Sequence, residues 1–459
     1  MTGSLRILLV SWYFPPANTI AAVRIGRMAE ALLAEGHDVR VLTAAGLPCP
    51  ATLDPMVPEA RVARAPWWDV NDLPERLLRR SGGRPGAAGG PPAEAPAVPS
   101  APGPARRLRR WAGEVYQHAT NLPDSRIGWL PGAVRAGKAL VRGWHPDVVY
   151  ATAPPFTGLL AGLALSRHTG APLVCEMRDR WSDDPYYPPP GWRLALDRLL
   201  ERQVLGRAAG IVTVSEPWAA AYRRRFGRPV EVVCNGYDAD GTDGADEPLP
   251  TPPGPVLTIV YTGGIYPGRR DPSPLFAAIA ALGDDAPSVR VVFYGTDPAM
   301  VRPLAERHGV LGSVTVLPAV PHRQSVAIQR AADVLLLMQW PDPREDGNVP
   351  GKFFEYLGAR RPVLLLGLAG GVPDSLLRER GAGILGESVG AIAAQLRLWL
   401  AQKRRTGIPP TPPGAAAGFS RAEQFARIAP FLRSLRHLSG PAAGAAAAGP
   451  APLLEDSPR

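Results

Sequence analysis

Cysteine is scarce in this chain: three residues in 459, Cys49, Cys175 and Cys234, scattered and odd in number. No two stand at a metal-ligand spacing, which argues against a zinc site and against disulfides, and the expected setting is a reducing cytosol. No run of eighteen apolar residues occurs, and the amino terminus has no Lys/Arg-flanked apolar stretch ending in small residues. The chain is therefore expected to be neither membrane-spanning nor secreted. No repeat at solenoid periods is present. The glycine fingerprint of a dinucleotide fold is missing too: after the apolar run Leu5 to Val10 its place is taken by Trp12-Tyr13-Phe14-Pro15-Pro16-Ala17-Asn18-Thr19, which disfavours a dehydrogenase. Acidic residues fall short of basic ones, leaving a formal charge of +10. Such a balance calls for an anionic partner: nucleic acid, an acidic lipid surface or a phosphorylated substrate.

What is present is an alternation of strand-like and helix-like segments on a chain too long for one core, so two α/β domains are expected. The first opens with a strand at Leu5 to Val10, an amphipathic helix from Ile20 to Glu35 and a strand from Asp38 to Thr43, a βαβ unit of Rossmann type. Further strands are expected at 147–150, 173–176, 211–214 and 230–234. The strand ending at Glu176 delivers Arg178-Asp179-Arg180-Trp181 into the crevice at its carboxyl end, either as a buried Arg-Asp pair or as site residues. Asp183 and Asp184 are adjacent carboxylates without a third ligand in view, so no metal site is assigned. Residues 240–255, rich in Gly, Asp and Pro, read as a linker. The second domain restarts at Leu257 to Tyr261, followed by Gly263-Gly264 and the pair Arg269-Arg270, then strands at 291–294 (followed by Gly295), 314–317 and 334–338.

The most informative stretch runs from Asp346 to Gly367. It follows an apolar run, Ala332 to Met338, whose length and lack of alternation suit a strand buried on both faces. Pro350 fits the first turn of a helix and Asn348 is placed to cap it. The helix carries Lys352, Phe353, Phe354, Glu355, Tyr356 and Leu357, stops near Gly358, and leads through Pro362 to the strand Val363 to Leu366. The amino end of such a helix, near Gly351, attracts anions. Lys352 and Glu355 lie one turn apart, which fits a surface ion pair as well as it fits a ligand site.

The pattern V349-P-x-K-x-F-E-Y-L-x-x-x-R-P-V-L364 behind a strand of the type ADVLLL resembles the donor-binding segment of nucleotide-sugar glycosyltransferases of the GT-B fold, in the retaining group called family 4. The opening strand, the YFPP-like turn and the NGxD sequence at Asn235 to Asp238 resemble the same family. The resemblance implies two Rossmann-like domains facing a cleft: residues 1–240 on the acceptor side and 256–418 on the donor side. It adds a crossover helix, 419–438, that packs back on the first domain. It implies a metal-independent, retaining transfer of a sugar from a nucleoside diphosphate, with no further cofactor. Family members typically carry a pair of glutamates at fixed spacing; the second, which binds the ribose, matches Glu355, whereas the first falls on Gly347. Donor contacts carried over are Gly263, Arg269, Arg270, Gly295, Asn348, Gly351, Lys352 and Glu355, with Arg270 and Lys352 neutralising the leaving diphosphate. The acceptor side takes Asn18, Thr19, Arg178 and Asp179; the RDxW sequence resembles a subgroup acting on lipid-linked or capsular acceptors. A small molecule or a glycan also fits as acceptor. The rival readings are a catalytically degenerate sugar-nucleotide binder, a nucleotide-sugar epimerase or hydrolase of the same fold, and, last, a nucleic-acid binder.

Two low-complexity stretches complete the chain. Residues 81–104 and 439–459, rich in Gly, Pro and Ala, cannot bury enough surface to order themselves. Around the first lie Arg76, Arg79, Arg80, Arg84, Arg106, Arg107, Arg109 and Arg110, with Trp67, Trp68 and Trp111 nearby. This stretch reads either as a solvated charge run or as a contact with the cytoplasmic face of an anionic membrane.

Overall fold

The computed structural model describes residues 3–72, 113, 115–238 and 249–436. The arginine-rich stretch 76–111 with the insertion 81–104, most of the linker 240–255 and the tail 439–459 lie outside the described residues. The chain divides into two compact units: Met1–Glu176 with Asp197–Ile211 and the stretch from Ala429, and Met177–Leu196 with Val212–Ile428.

The first sheet has seven strands, β1 Arg6–Val10, β2 Asp38–Ala44, β3 Val62–Ala65, β4 Val148–Ala153, β5 Leu173–Met177, β6 Gly210–Thr213 and β7 Val230–Val232, in the order β3-β2-β1-β4-β5-β6-β7. β1 pairs in parallel with both β2 and β4, so the strand order reverses between β1 and β4. Helix α1, Ile20–Ala34, connects β1 to β2; Thr19 caps it by accepting from the Ala22 N–H at 3.1 Å. Helices α2 Leu130–Leu140, α3 Thr157–Thr169, α4 Gly191–Leu205 and α5 Glu216–Phe226 follow. α2 and β3 have no counterpart in the expected elements. Within α1, Arg24 donates twice to Glu176 Oε1, at 3.0 and 2.9 Å, and both side chains are almost fully buried. A buried pair of this kind holds together only because each charge is satisfied.

The second sheet lies wholly in the second unit: β8 Leu257–Thr262, β9 Val289–Tyr294, β10 Val314–Leu317, β11 Val334–Met338, β12 Val363–Leu366 and β13 Gly383–Leu385, ordered β10-β9-β8-β11-β12-β13. Its five pairings are all parallel. Helices α6 Ser273–Ala280, α7 Pro298–Arg307, α8 His322–Ala331, α9 Gly351–Ala359, α10 Val372–Glu379 and α11 Val389–Thr406 pack against it. Alternate residues of each strand enter opposite cores: Ile259, Tyr261, Leu336 and Met338 on one face, Val260, Leu335 and Leu337 with Phe353, Phe354 and Tyr356 of α9 on the other. Burial on both faces is why these strands read as unbroken apolar runs. At the base of the sheet Lys403 donates to Asp333 Oδ1 at 2.7 Å, and Asp333 Oδ2 accepts from the Thr258 N–H, joining α11 to the starts of β8 and β11.

The expected single helix over 419–438 is two: α12 Arg421–Phe425 and α13 Ile428–Leu435. α12 is closed by a capping box in which Ser420 and Glu423 exchange hydrogen bonds. α13 packs in the first unit, where Phe431 and Leu435 press on Gly210 and Arg436 pairs with Asp147 at 2.9 Å.

Candidate functional site

In an open parallel sheet, the loops leaving the carboxyl ends of the strands on either side of the order reversal form the ligand crevice. In the second sheet those strands are β8 and β11. β8 runs into Thr262-Gly263-Gly264, and β11 runs through the loop 339–350 into α9.

The two loops meet at Lys352. Its Nζ donates to the Thr262 carbonyl at 2.6 Å and lies 4.1 Å from the centre of the Tyr261 ring. Gly263, at φ 116°, is bare where a Cβ would lie 2.7 Å from that Nζ. The ion pair between Lys352 and Glu355 that their spacing allows is replaced by these contacts. Burial and, after it, the neighbouring Arg270 guanidinium together pull the Lys352 ammonium down to about 7 against the opposing effect of Glu355. Arg270 folds back on its own turn, with Nη1 donating to the Gly264 carbonyl at 3.2 Å and the guanidinium over the Tyr266 ring. Two cationic side chains thus converge beside the first turn of α9, whose amide groups begin at Gly351.

Glu355 sits on the next turn of α9. Its Oε2 accepts from Gln329 Nε2 at 3.2 Å, and His322 Nδ1 lies 3.9 Å from Oε1. Gln329 also reaches Thr262 Oγ1, and the Tyr356 hydroxyl accepts from the Thr262 N–H at 3.2 Å, so β8, α8 and α9 are tied together around the site. Gly295, at φ 74°, ends β9 beside Ala319.

One expected role changes, and one candidate has further partners. Asn348 does not cap α9: its Nδ2 donates to Glu345 Oε1 at 3.0 Å and its carbonyl accepts from Gln339 Nε2 at 2.6 Å. The N-cap position is held by Pro350, which has no side-chain oxygen to offer. Arg269 is held in an aromatic clamp, 4.1 Å from the ring centre of Tyr186 and 4.8 Å from that of Trp340. The Tyr186 hydroxyl in turn donates to Glu345 Oε1 at 2.6 Å. Tyr186, Trp340 and Glu345 were not singled out in the sequence because nothing local marks residues that meet only through tertiary structure.

The segment after β5 belongs to this unit as well. Arg178 is half-buried and Asp179 exposed. Dense surroundings nevertheless push the Asp179 carboxyl upward by desolvation; Arg178 opposes the shift and Asp184 adds to it. Asp183 pairs with Arg225 at 2.9 Å, and Asp184 Oδ1 accepts from the Tyr186 N–H at 2.8 Å. Among the described residues no group of three His, Cys, Asp or Glu side chains is placed to hold a metal ion. In the first unit, Asn18 donates to Thr52 Oγ1 at 2.8 Å and Thr19 is occupied as the α1 cap.

Comparison with known proteins agrees with this architecture. Residues 21–237 match the family model described as the glycosyl transferase 4-like domain. The 2-deoxystreptamine glucosyltransferase of Streptomyces kanamyceticus is 27% identical over 296 residues, 58% of this chain and 74% of that protein. Two solved structures share the fold. Sucrose-phosphate synthase of Thermosynechococcus elongatus has a TM-score of 0.55 at 16% identity, covering 95% of this chain and 100% of that one. WaaG, a glycosyltransferase involved in lipopolysaccharide biosynthesis, has a TM-score of 0.52 at 15% identity, covering 96% and 100%.

Proposed function

We propose that this chain, a glycosyltransferase of the GT-B type, takes its sugar from a nucleoside diphosphate bound at the β8–α9 junction. The observation that carries the reading is Lys352, on the first turn of α9, set against the bare Gly263 with Arg270 on the adjoining Gly264 carbonyl, at the reversal point of a parallel sheet. Breaking the bond at the anomeric carbon leaves negative charge on the departing diphosphate. Two cations and a helix terminus fixed in place before the reaction stabilise that charge without reorganising. Glu355, one turn along α9, is the acceptor for ribose hydroxyls. No divalent ion is required in this scheme, and the anomeric configuration is retained.

The segment Arg178 to Trp181 supplies the acceptor side. A carboxyl whose pKa is raised by its surroundings, such as Asp179, is suited to orienting an attacking hydroxyl near neutral pH. The curated relative, named for glucosyl transfer to 2-deoxystreptamine, favours a glucosyl donor and a small polyhydroxylated acceptor. The test is a thermal-shift and product screen of UDP-, GDP- and dTDP-sugars with 2-deoxystreptamine or a lipid phosphate as acceptor, run in excess EDTA. Stabilisation by one donor class and turnover in EDTA are expected. No stabilisation by any nucleotide sugar removes the donor site, and activity that returns only with magnesium or manganese removes the metal-free scheme.

A further inference from the structure

In the first unit the loops that leave β1 and β2 are joined to each other. The Asn18 N–H donates to the Pro50 carbonyl at 2.7 Å and the Leu53 N–H to the Pro16 carbonyl at 3.0 Å, with an antiparallel bridge between Ala17 and Ala51. Helix α1 closes in behind them: at Gly26 a Cβ would lie 2.6 Å from Met56 Sδ and 2.8 Å from Pro15 Cγ. Between the two loops and β3 lies a cavity of about 280 Å³. Its apolar walls are Phe14, Pro15, Pro16, Pro55, Met56 and Val57, and its polar lining is Glu59 and Arg64. Pro16, Pro55 and Glu59 are exposed, so the cavity reaches the surface. At about 30 Å³ per water such a space holds roughly nine waters, which is room for one six-membered ring with its substituents and not for two. Proline rings have little side-chain freedom to lose, so a ligand face laid against them orders the wall no further.

The polar edge selects the ligand. Arg64 donates from Nε to Glu59 Oε1 at 2.9 Å, and from Nη2 to Glu59 Oε2 at 3.0 Å and to the Pro15 carbonyl at 3.1 Å. Those bonds use the Nε proton and both Nη2 protons. Among the described residues Nη1 makes no hydrogen bond, and each Glu59 oxygen has capacity for another donor. The bidentate pair therefore presents two donors beside two acceptors with its charges cancelled. A phosphate here would meet Glu59, an ammonium would meet Arg64, and a hydrocarbon would leave both edges unused. A neutral ring with C–H groups on its faces and hydroxyls on its edge suits walls and edge together, because neighbouring hydroxyls accept from Arg64 and donate to Glu59. We propose that this cavity binds a polyhydroxylated six-membered ring, a pyranose or a cyclitol, through Arg64, Glu59 and the proline-lined wall. In a glycosyltransferase such a ring belongs to the acceptor; that role rests on the function proposed above, whereas the binding itself does not.

Met56 reports on the cavity directly, since the chain has six methionines and their methyl groups can be followed together after labelling with 13C-methyl methionine. Met56→Leu assigns its resonance. Titration of the full chain with methyl β-D-glucopyranoside and with myo-inositol should move the Met56 signal saturably and leave the other five in place. The dissociation constant should be on the order of 1 mM, as a ring of about a dozen non-hydrogen atoms sustains. The tighter of the two ligands distinguishes a sugar from a cyclitol. Cyclohexanol, the same ring with one hydroxyl, should bind at least about tenfold more weakly, and Glu59→Ala and Arg64→Gln should each weaken the polyol about tenfold. Unchanged signals from the other methionines establish that a variant is folded; Glu59 is exposed, so Glu59→Ala decides if the arginine variant is not. UDP binding, followed separately by calorimetry, should be the same in wild type and Glu59→Ala. A Met56 signal that neither polyol moves overturns the proposal. So does cyclohexanol binding as tightly as the polyols, or wild-type polyol affinity in a folded Glu59→Ala variant.

Discussion

Nζ of Lys352 donates to the carbonyl of Thr262 at 2.6 Å, one residue before the glycine that leaves room for it. The ammonium is thereby held beside Arg270 in a half-buried position, where desolvation and like charge favour the neutral amine. A diphosphate arriving at this point supplies the missing counter-charge, so its binding favours the protonated amine. Above pH 7, binding of UDP is expected to take up close to one proton, and affinity should fall by at most about tenfold per pH unit. The ligand-free protein has the complementary dependence. Between about 7 and 10.5 the folded chain carries fewer protons at Lys352 than the unfolded chain, so this group's contribution to stability grows as pH rises through that window. Calorimetry at pH 8 in buffers of different ionisation enthalpy reads the uptake directly. Lys352→Met should abolish it, and a wild-type value of zero protons removes Lys352 from the phosphate site.

The adjacent arginines should separate cleanly. Arg270→Gln removes a charge-assisted contact contributing roughly 1.5 to 3 kcal/mol, so UDP should bind about tenfold or more weakly with the melting temperature little changed. Arg269→Gln instead empties the clamp between Tyr186 and Trp340, and a cation–π contact of this kind contributes about 0.5 to 2 kcal/mol. Its variant should be less stable while keeping its nucleotide affinity. Denaturant unfolding and calorimetry on both variants check the pair; a reversed pattern would exchange their roles.

Legibility followed the range of the signal. β11, α9 and β12 were recognisable because unbroken apolar runs, a proline and a glycine are local features, and Lys352 and Glu355 came with them. β13, only three residues long, and β3 carry too little sequence to stand out, since their positions are set by the neighbouring strand. Asn348 beside Pro350 has the sequence of a cap, yet the buried carboxylate of Glu345 competes for its amide, and that competitor approaches through the fold of the loop. The same limit hid the Tyr186 to Glu345 bond, which joins residues 159 apart in sequence.

Gly347, where the resembling enzymes carry a glutamate, is fixed by its surroundings. Its φ is 81°, and a Cβ there would lie 2.3 Å from Trp218 Cδ1 and 2.5 Å from Nε1, the same indole that donates to the Asp346 carbonyl. Gly347→Ala should cost on the order of 1 to 3 kcal/mol from backbone strain and overpacking. Gly347→Glu should cost at least as much and raise activity no further. Chemical denaturation measures the first claim; a glutamate variant as stable as wild type would show that the loop relaxes freely.

Glu355 tests the orientation of the nucleotide. Its carboxylate already accepts from Gln329 at 3.2 Å, a neutral bond that leaves capacity on both oxygens for ribose hydroxyls. If those hydroxyls bind there, wild-type protein should prefer UDP to 2′-deoxy-UDP, because the deoxy nucleotide leaves part of that capacity unused. Glu355→Ala should then weaken UDP about tenfold or more, given roughly 1.5 to 3 kcal/mol for hydrogen bonds to a charged group, and should weaken 2′-deoxy-UDP less. The discrimination between the two nucleotides is the decisive quantity, since a general loosening of α8 against α9 would weaken both alike. Competition calorimetry measures it, and a variant that keeps the full preference for UDP places the ribose elsewhere.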